Sequence, residues 1–181
     1  MAERDERGAT LLDIARAAVE RPGENGIEAG WAEAWLRQPG ASFVTLHMDG
    51  ELRGCIGSIE AHRPLGEDVV RNARAAAYRD PRFPAVTPAE IPRLQVEVSV
   101  LSPREPLAAR SETEALAQIR PGIDGICLDY GELRSTFLPQ VWESLPEPGE
   151  FLAELKRKAG LPRTFWHPDL RLSRYTVDKF R

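Results

Sequence analysis

The sequence contains only two cysteines and no long apolar run. Cys55 and Cys127 are too few for a disulfide framework or for a zinc site built from cysteine alone. No apolar stretch approaches the roughly 20 residues of a membrane-spanning helix, and the charged start MAERDERG has no apolar run behind it. These absences predict a protein of the reducing cytoplasm, with no membrane segment and no secretory signal.

The signatures of common cofactor and metal sites are also missing. There is no GxGxxG, no phosphate-binding loop, no HExxH and no CxxC. The three histidines, His47, His62 and His167, stand apart without metal-ligand spacing and are interpreted as surface or hydrogen-bonded residues. The sequence therefore predicts no metal and no cofactor. His62 is kept as a weak candidate proton carrier, because it closely follows the predicted strand of Cys55.

A surplus of basic residues is absent as well. The chain carries 24 Lys and Arg against 28 Asp and Glu, a formal net charge of -4, which disfavours a nucleic-acid partner. A local basic patch stays an alternative, because net charge says nothing about its distribution. The length of 181 residues predicts one domain or two joined lobes, and a hydrophobic content of 42% suffices for a packed core.

Periodicity and turn signals predict alternating helices and strands. Asp49-Gly50 is a strong signal for a hairpin turn. The predicted helices cover residues 10–20, 66–78, 139–145 and 150–159, with a further short one after the capping box at Thr87 and Glu90. The predicted strands cover residues 42–48, 51–59, 94–101, 125–129, 133–137 and 170–177. The alternation along residues 94–101 predicts an antiparallel strand with Gln95, Glu97 and Ser99 facing outward.

A short repeat links the two halves of the chain. DGELRGC at residues 49–55 and YGELRST at residues 130–136 share Gly-Glu-Leu-Arg, each followed by helical sequence and a strand. We predict one domain with two related β-hairpin, helix, strand lobes, at about residues 42–101 and 125–177, with the N-terminal helix packed on the body. Arg53 and Arg134 are expected at matching positions, and Thr136 at the position of Cys55.

Several longer motifs occur in a fixed order along the chain: LRGCIG, DPRFP, LQVEVSVLS, PGIDGICLDYG, STFLPQVWE and FLAELKRKAG. They resemble the AMMECR domain family, whose bacterial and archaeal members are called AmmeMemoRadiSam system protein A. The resemblance covers about residues 11–175. It implies an α/β fold of the α+β type, with antiparallel sheet, flanking helices and two subdomains. It also implies genetic association with a Memo-type protein and a radical S-adenosylmethionine protein, which are candidate partners, and it implies no established reaction.

The glycines of LRGCIG are unusual in a strand, because glycine packs no side chain there. In a structural interpretation, Gly54 and Gly57 permit a bulge or close sheet packing, and Cys55 is a small buried hydrophobic residue. In a functional interpretation, the glycines clear space so that a ligand or a neighbouring backbone reaches the Cys55 sulfur. Both interpretations stay open at the level of sequence.

The register of the hairpin decides which side chains surround this cysteine. A two-residue turn would pair Cys55 with Val44 and would place His47 on the opposite face of the sheet. Arg53 would then share the face of Cys55, where its charge favours the thiolate. A bulge at Gly54 would overturn this arrangement.

The DPRFP loop offers two interpretations for Arg82 and Phe83. In the structural one, the two prolines stop the preceding helix and Phe83 plugs the core. In the functional one, Arg82 is an anion clamp that points toward Arg53, so that two uncompensated cations select an anion.

Two functions follow for the whole protein, and whether it catalyses a reaction is left undecided. The first is an enzyme or enzyme subunit that uses Cys55, in a cleft between the two lobes, on an anionic or peptide-like substrate. The second is a non-catalytic adaptor that binds a partner protein. Cys127 is expected to be buried and inert. The candidate substrate-binding residues are Arg53, Gly54, Gly57, Arg82, Phe83, Arg134 and Thr136.

Overall fold

The computed structural model describes residues 2–23 and 31–181. Its α-helices are α1 (Ala2–Glu20), α2 (Leu65–Tyr78), α3 (Glu112–Leu116) and α4 (Pro148–Lys158). Its strands are β1 (Pro39–Met48), β2 (Glu51–Gly57), β3 (Arg63–Pro64), β4 (Leu94–Leu101), β5 (Glu105–Pro106), β6 (Gly125–Tyr130), β7 (Leu133–Phe137), β8 (Arg171–Tyr175) and β9 (Val177–Phe180). Short 3-10 turns cover Ala34–Arg37, Ile91–Arg93 and Pro139–Glu143. The predicted mixture of helices with antiparallel sheet is confirmed.

The chain divides into two compact units. The first consists of Met1–Leu101 with Asp178–Arg181, and the second consists of Ser102–Val177. In the described parts of the chain, no helix is long and apolar enough to cross a membrane.

The sheet of the first unit has the order β2-β1-β4-β9, with β3 paired to the start of β1. Its hairpin turn is confirmed at Asp49 and Gly50, where both residues have positive φ, 54° and 85°. A tight turn with this backbone matches the twist of the flanking strands, and aspartate followed by glycine is a sequence that accepts it. The turn therefore joins β1 to β2 as the sequence predicted.

Helices cover one face of this sheet. α2 packs on β1 and β2, while α1 packs on α2 and β4. The helix α1 begins at Ala2 and not at the predicted Thr10. Thr10 is no N-cap, since it lies within the helix and its hydroxyl donates back to the Glu6 carbonyl at 3.0 Å. Buried apolar residues of this core include Leu11, Val19, Val44, Leu46, Val69, Val70, Val96 and Val98.

The other face of β4 is less exposed than predicted. Glu97 and Ser99 lie on the face opposite the core residues Val96 and Val98, as the alternation predicted, but each is only 8% exposed. Burying a carboxylate requires compensating partners. Lys179 and Arg181 supply them, because both form ion pairs with Glu97. Lys179 and Arg181 are more than 80 residues away in the sequence. The alternation of apolar and polar residues within β4 therefore could not predict these ion pairs.

The second unit has a sheet of order β5-β8-β6-β7 and a core of its own. The rings of Trp142 and Phe151 stack at 3.8 Å between centroids within that core. The fully buried Lys156 of α4 is held by Glu112, at 2.8 Å between Nζ and Oε2. The predicted helix over residues 139–145 is only a 3-10 turn, Pro139–Glu143. Pro146 follows directly and disfavours helical backbone at Leu145, so the turn does not continue.

Each unit contains a hairpin whose first strand also pairs with the strand that follows the helix. Counted from the turn, Cys55 lies opposite Thr45 in the first hairpin, and Thr136 lies opposite Cys127 in the second. Thr136 thus has the ladder position of Cys55, with the residue types exchanged between strands. Arg53 and Arg134 do not match, and that expectation is wrong, because β2 has an irregularity that leaves Arg53 without a ladder partner.

Gly54 lets β2 lie directly against α2. A Cβ atom at this position would lie far inside contact distance of the Ala76 carbonyl oxygen, a backbone atom that cannot swing away. We predict that Gly54→Ala lowers the free energy of unfolding by roughly 3 kcal/mol, since overpacking moves the helix off the strand.

The matched control is Gly23→Ala in the same unit, where the added methyl meets nothing within 4 Å. This control is expected to change the free energy by at most about 1 kcal/mol. Urea unfolding followed by circular dichroism measures both variants. Equal stability of the two would contradict the close contact between β2 and α2.

Candidate functional site

A bulge in β2 sets the surroundings of Cys55. His47 pairs with Leu52 and Leu46 pairs with Gly54, so Arg53 is the additional residue between them. Cys55 therefore pairs with Thr45, and the expected pairing with Val44 is wrong.

The same bulge changes which face of the sheet carries each residue. His47 and Thr45 are two residues apart on β1 and share a face, which is also the face of Cys55. The expectation that His47 lies on the opposite face from Cys55 is therefore wrong.

The peptide of Cys55 is held by two side chains of the DPRFP loop. The Cys55 N–H donates to Asp80 Oδ2 at 2.9 Å, and the Cys55 carbonyl accepts from Arg82 Nη2 at 3.0 Å. β2 lies at the edge of its sheet, where backbone groups lack a partner strand. Asp80 and Arg82 together replace that strand at Cys55.

The Asp80–Arg82 pair is itself tightly bonded. Arg82 donates from Nε to Oδ1 at 2.9 Å and from Nη2 to Oδ2 at 2.7 Å. The Arg82 side chain holds the pKa of Asp80 well below its usual range, and the backbone N–H groups of Cys55 and Arg82 lower it further. The hydrogen bond with Asp80 is also the largest cause of the raised pKa of Arg82, to which the nearby Cys55 contributes.

The thiol of Cys55 is half-buried, and its sulfur accepts a hydrogen bond from Thr45 Oγ1 at 3.3 Å. The Arg82 side chain is 53% exposed and lies with its Cζ atom 5.5 Å from the centroid of the Phe83 ring. Phe83 is half-buried and supports the arginine from below. The site thus combines a thiol, a hydroxyl donor and a solvent-facing guanidinium on a rigid frame.

Arg53 does not join this group. Its Nε and Nη2 donate to the two carboxylate oxygens of Glu90, at 2.8 and 3.3 Å. With Arg53 paired to Glu90 and Arg82 paired to Asp80, the expectation of two uncompensated cations is wrong. The physical reason is that each arginine has a carboxylate partner from the segment between α2 and β4.

The Thr87 amide and hydroxyl also donate hydrogen bonds to Glu90 Oε2, at 2.8 and 2.9 Å. Only one of the two hydrogen bonds of the predicted capping box is formed, because the Thr87 hydroxyl donates to the Glu90 carboxylate and the Glu90 N–H donates to the Thr87 carbonyl. The turn that follows is the 3-10 turn Ile91–Arg93, whose N-cap is Glu90. The Arg53 hydrogen bond, followed by those from Thr87, lowers the pKa of Glu90 to about 2.

The two glycines are explained by neighbouring protein groups. The space beside Gly54 is taken by the Ala76 carbonyl, and a Cβ at Gly57 would collide with the ring of Phe43. Both glycines therefore serve close packing, which favours their structural interpretation. The cysteine between them keeps a half-buried thiol.

A buried polar cluster beside the site was not expected from the sequence. The Asp68 carboxylate, 1% exposed, accepts from the amide and hydroxyl of Ser42 at 2.9 and 2.7 Å. Asn72, Ser58 and Arg63 donate to it as well, at 2.9, 2.7 and 2.9 Å. Two polar residues four apart on the apolar face of a helix, Asp68 and Asn72, were the sequence signal for this cluster.

Three candidate residues lie elsewhere. Thr136 is buried in the second unit, where its hydroxyl donates to the Ile126 carbonyl at 2.8 Å. Arg134 forms an ion pair with Asp129. His62 is exposed and lies 2.9 Å from a Glu60 oxygen.

Cys127 is 2% exposed, as expected, and burial raises the pKa of its thiol. In the described residues, no group of three or more His, Cys, Asp and Glu side chains is arranged to hold a metal ion.

Acid titration should reveal the Arg53–Glu90 pair. The pKa of Glu90 is lower in the folded protein, about 2, than its usual value of 4.5. Its contribution is therefore present above pH 4.5 and is lost as the pH falls toward 2. We predict that Glu90→Gln destabilises the protein at pH 7 and that the difference from the parent protein shrinks below pH 4.5.

Unfolding by urea at a series of pH values measures this difference. The control is Glu51→Gln, which removes an exposed carboxylate of β2 and should have little effect at any pH. A Glu90→Gln difference that is the same at pH 3 and pH 7 would contradict the ion pair.

Comparisons with known proteins agree with this structure. A protein of Methanothermobacter thermautotrophicus is 41% identical over 186 residues, which cover 98% of this chain and 94% of the relative. A protein of Thermotoga maritima is 40% identical over 82% of this chain and 81% of its own length. The crystal structure of an uncharacterized protein from Pyrococcus horikoshii matches with a TM-score of 0.82 and 35% identity, over 97% of this chain and 91% of that one.

The sequence profile of one family, AMMECR1, matches residues 12–180. That span contains most of the first unit, all of the second, the LRGCIG strand and the DPRFP loop. The chain belongs to the AMMECR1 family.

Proposed function

We propose that this AMMECR1-family protein is an enzyme, or a subunit of one, that uses the Cys55 thiol on a small anionic or peptide-like substrate. The observation that supports it is the environment of the thiol. Cys55 is half-buried, its sulfur accepts a hydrogen bond from Thr45, and the exposed guanidinium of Arg82 lies beside it. A thiol held in this way differs from the buried Cys127 of the second unit.

The chemistry follows from the thiolate, which is the reactive form of cysteine. A hydroxyl donor and a nearby guanidinium both stabilise negative charge on sulfur. Asp80 offsets part of the Arg82 charge, so Thr45 is the donor that acts directly on the sulfur. The clamped peptide of Cys55 fixes the direction of its side chain, which reduces the entropy lost when a substrate binds.

Arg82 is the residue that we propose to attract the substrate. More than half of its side chain is exposed, and arginine presents several donors to a carboxylate or a peptide carbonyl. Arg53, which the sequence suggested for the same role, is buried against Glu90 and is proposed instead to hold the DPRFP-to-β4 segment in place.

We further propose a Memo-type protein and a radical S-adenosylmethionine protein as partners, and a cytoplasmic location. The partners are supported by the order of the quoted motifs, and the location by two free cysteines. Size-exclusion chromatography of this protein mixed with each purified partner tests the association. Separate elution in every mixture would remove the support for a complex.

The thiol reagent test compares two single-cysteine proteins. Cys127→Ser leaves Cys55 alone, and Cys55→Ser leaves Cys127 alone. We predict that at neutral pH the first is labelled about tenfold faster than the second, because the Cys55 thiol is only half-buried, whereas Cys127 is buried and its burial raises the pKa of the thiol. Mass spectrometry of the intact protein over time measures both rates, and circular dichroism checks that both variants fold.

Arg82→Gln in the single-thiol Cys55 protein is expected to slow that labelling. Arg79→Gln is the matched control, since it removes the same charge from an exposed residue three positions away. Equally slow labelling of the two thiols, or unfolding of Cys55→Ser, would show that Cys55 has a structural role. The adaptor function, in which the protein binds a partner without chemistry, would then replace the enzyme.

A further inference from the structure

A pocket of the first unit lies at the end of the sheet where β1 turns into β2. Its volume is about 510 Å³, which is in the range of sites for small molecules. Arg16 of α1, His47 of β1, Gln95 and Glu97 of β4, and Arg181 contribute to its walls. None of these side chains is bonded to the clamp on Cys55.

Arg16 brings a charge that the protein does not neutralise locally. Its Nη2 donates to the Leu94 carbonyl at 3.4 Å, and over residues 2–23 and 31–181 no carboxylate forms an ion pair with it. The residue is exposed, so most of the guanidinium fork is available to a ligand. Such a fork matches the two oxygens of a carboxylate or a phosphate.

Glu97 does not cancel this charge, because it is already paired twice. Lys179 Nζ lies 3.3 Å from one carboxylate oxygen and Arg181 Nε lies 2.5 Å from the other. Asp49, next to the pocket at the hairpin turn, is paired with Arg93. Among the side chains that line the pocket, two arginines stand against one carboxylate, and a concave surface with a surplus of cationic side chains concentrates anions.

His47 adds an unsatisfied polar atom. Its Nε2 is buried and has no hydrogen-bond partner, a costly state for a ring nitrogen. Gln95 lies directly opposite His47 in the ladder and is exposed. A ligand oxygen that reached the imidazole after a small rotation of the ring would satisfy this nitrogen, with the Gln95 amide beside it.

We propose that this pocket binds a small anion that carries a carboxylate or phosphate group. Arg16 is its main hydrogen-bond donor, and Arg181 and Gln95 are further donors. His47 of β1 forms part of the wall. The site is independent of Cys55 chemistry, because binding needs no thiol.

The test is a titration with inorganic phosphate and, separately, with succinate, at constant pH and with chloride keeping the ionic strength constant. The chain has only three histidines, so the imidazole signals are readily resolved by NMR and His47→Gln assigns one of them. We expect a saturable shift of the His47 signal with at least one of the two anions. His62 and His167 lie outside the pocket and serve as internal controls.

Arg16→Gln is expected to weaken binding about tenfold, because it removes a charge-assisted hydrogen bond. The matched control Arg71→Gln removes the same charge from an exposed arginine of α2 and should leave the affinity unchanged. Arg181→Gln gives a second variant if Arg16→Gln fails to fold.

Saturation by phosphate alone assigns phosphorylated ligands to the pocket, and saturation by succinate alone assigns carboxylates. The proposal is overturned if the His47 signal shows no saturable shift with either anion. It is equally overturned if Arg71→Gln weakens binding as much as Arg16→Gln, because the effect is then one of overall charge.

Discussion

The arrangement around Cys55 depends on two side chains that take the place of a neighbouring strand. At the edge of its sheet, the amide and carbonyl of Cys55 are bonded to Asp80 and Arg82 in place of a neighbouring backbone. An unsatisfied edge is costly when buried and prone to pairing with other chains when exposed. The clamp removes both difficulties and fixes the position of the thiol.

The clamp also explains the composition of the loop that provides it. Asp80 ends the turn after α2, and Pro81 restricts the backbone between Asp80 and Arg82. A carboxylate that is nearly inaccessible needs donors on both oxygens, and Arg82 with two backbone amides supplies them. The same requirement governs Asp68, whose five donors come from β1, α2 and the segment between β2 and α2. In both places a buried negative charge organises the surrounding polar groups.

Much of the fold could be predicted from local sequence, and the register of the hairpin could not. The Asp49-Gly50 turn and α2 depend on near neighbours in the chain, and both are present. At the bulge, Gly54 lies against α2 and Arg53 is bonded to the carboxylate of Glu90, and both partners lie far along the chain. That single extra residue moved Cys55 from Val44 to Thr45 and brought His47 to the same face.

The sequence by itself determined the fold class, the hairpin, the position of Cys55 inside a strand and the buried state of Cys127, because periodicity, turn residues and composition act locally. Only the tertiary structure decided which charges are compensated. Arg53 forms an ion pair with Glu90, and Arg82 forms one with Asp80. Glu97 is paired with Lys179 and Arg181, whereas Arg16 lines a pocket. The physical reason is that an ion pair requires closeness in space, and these partners are joined by packing that no short stretch of sequence encodes.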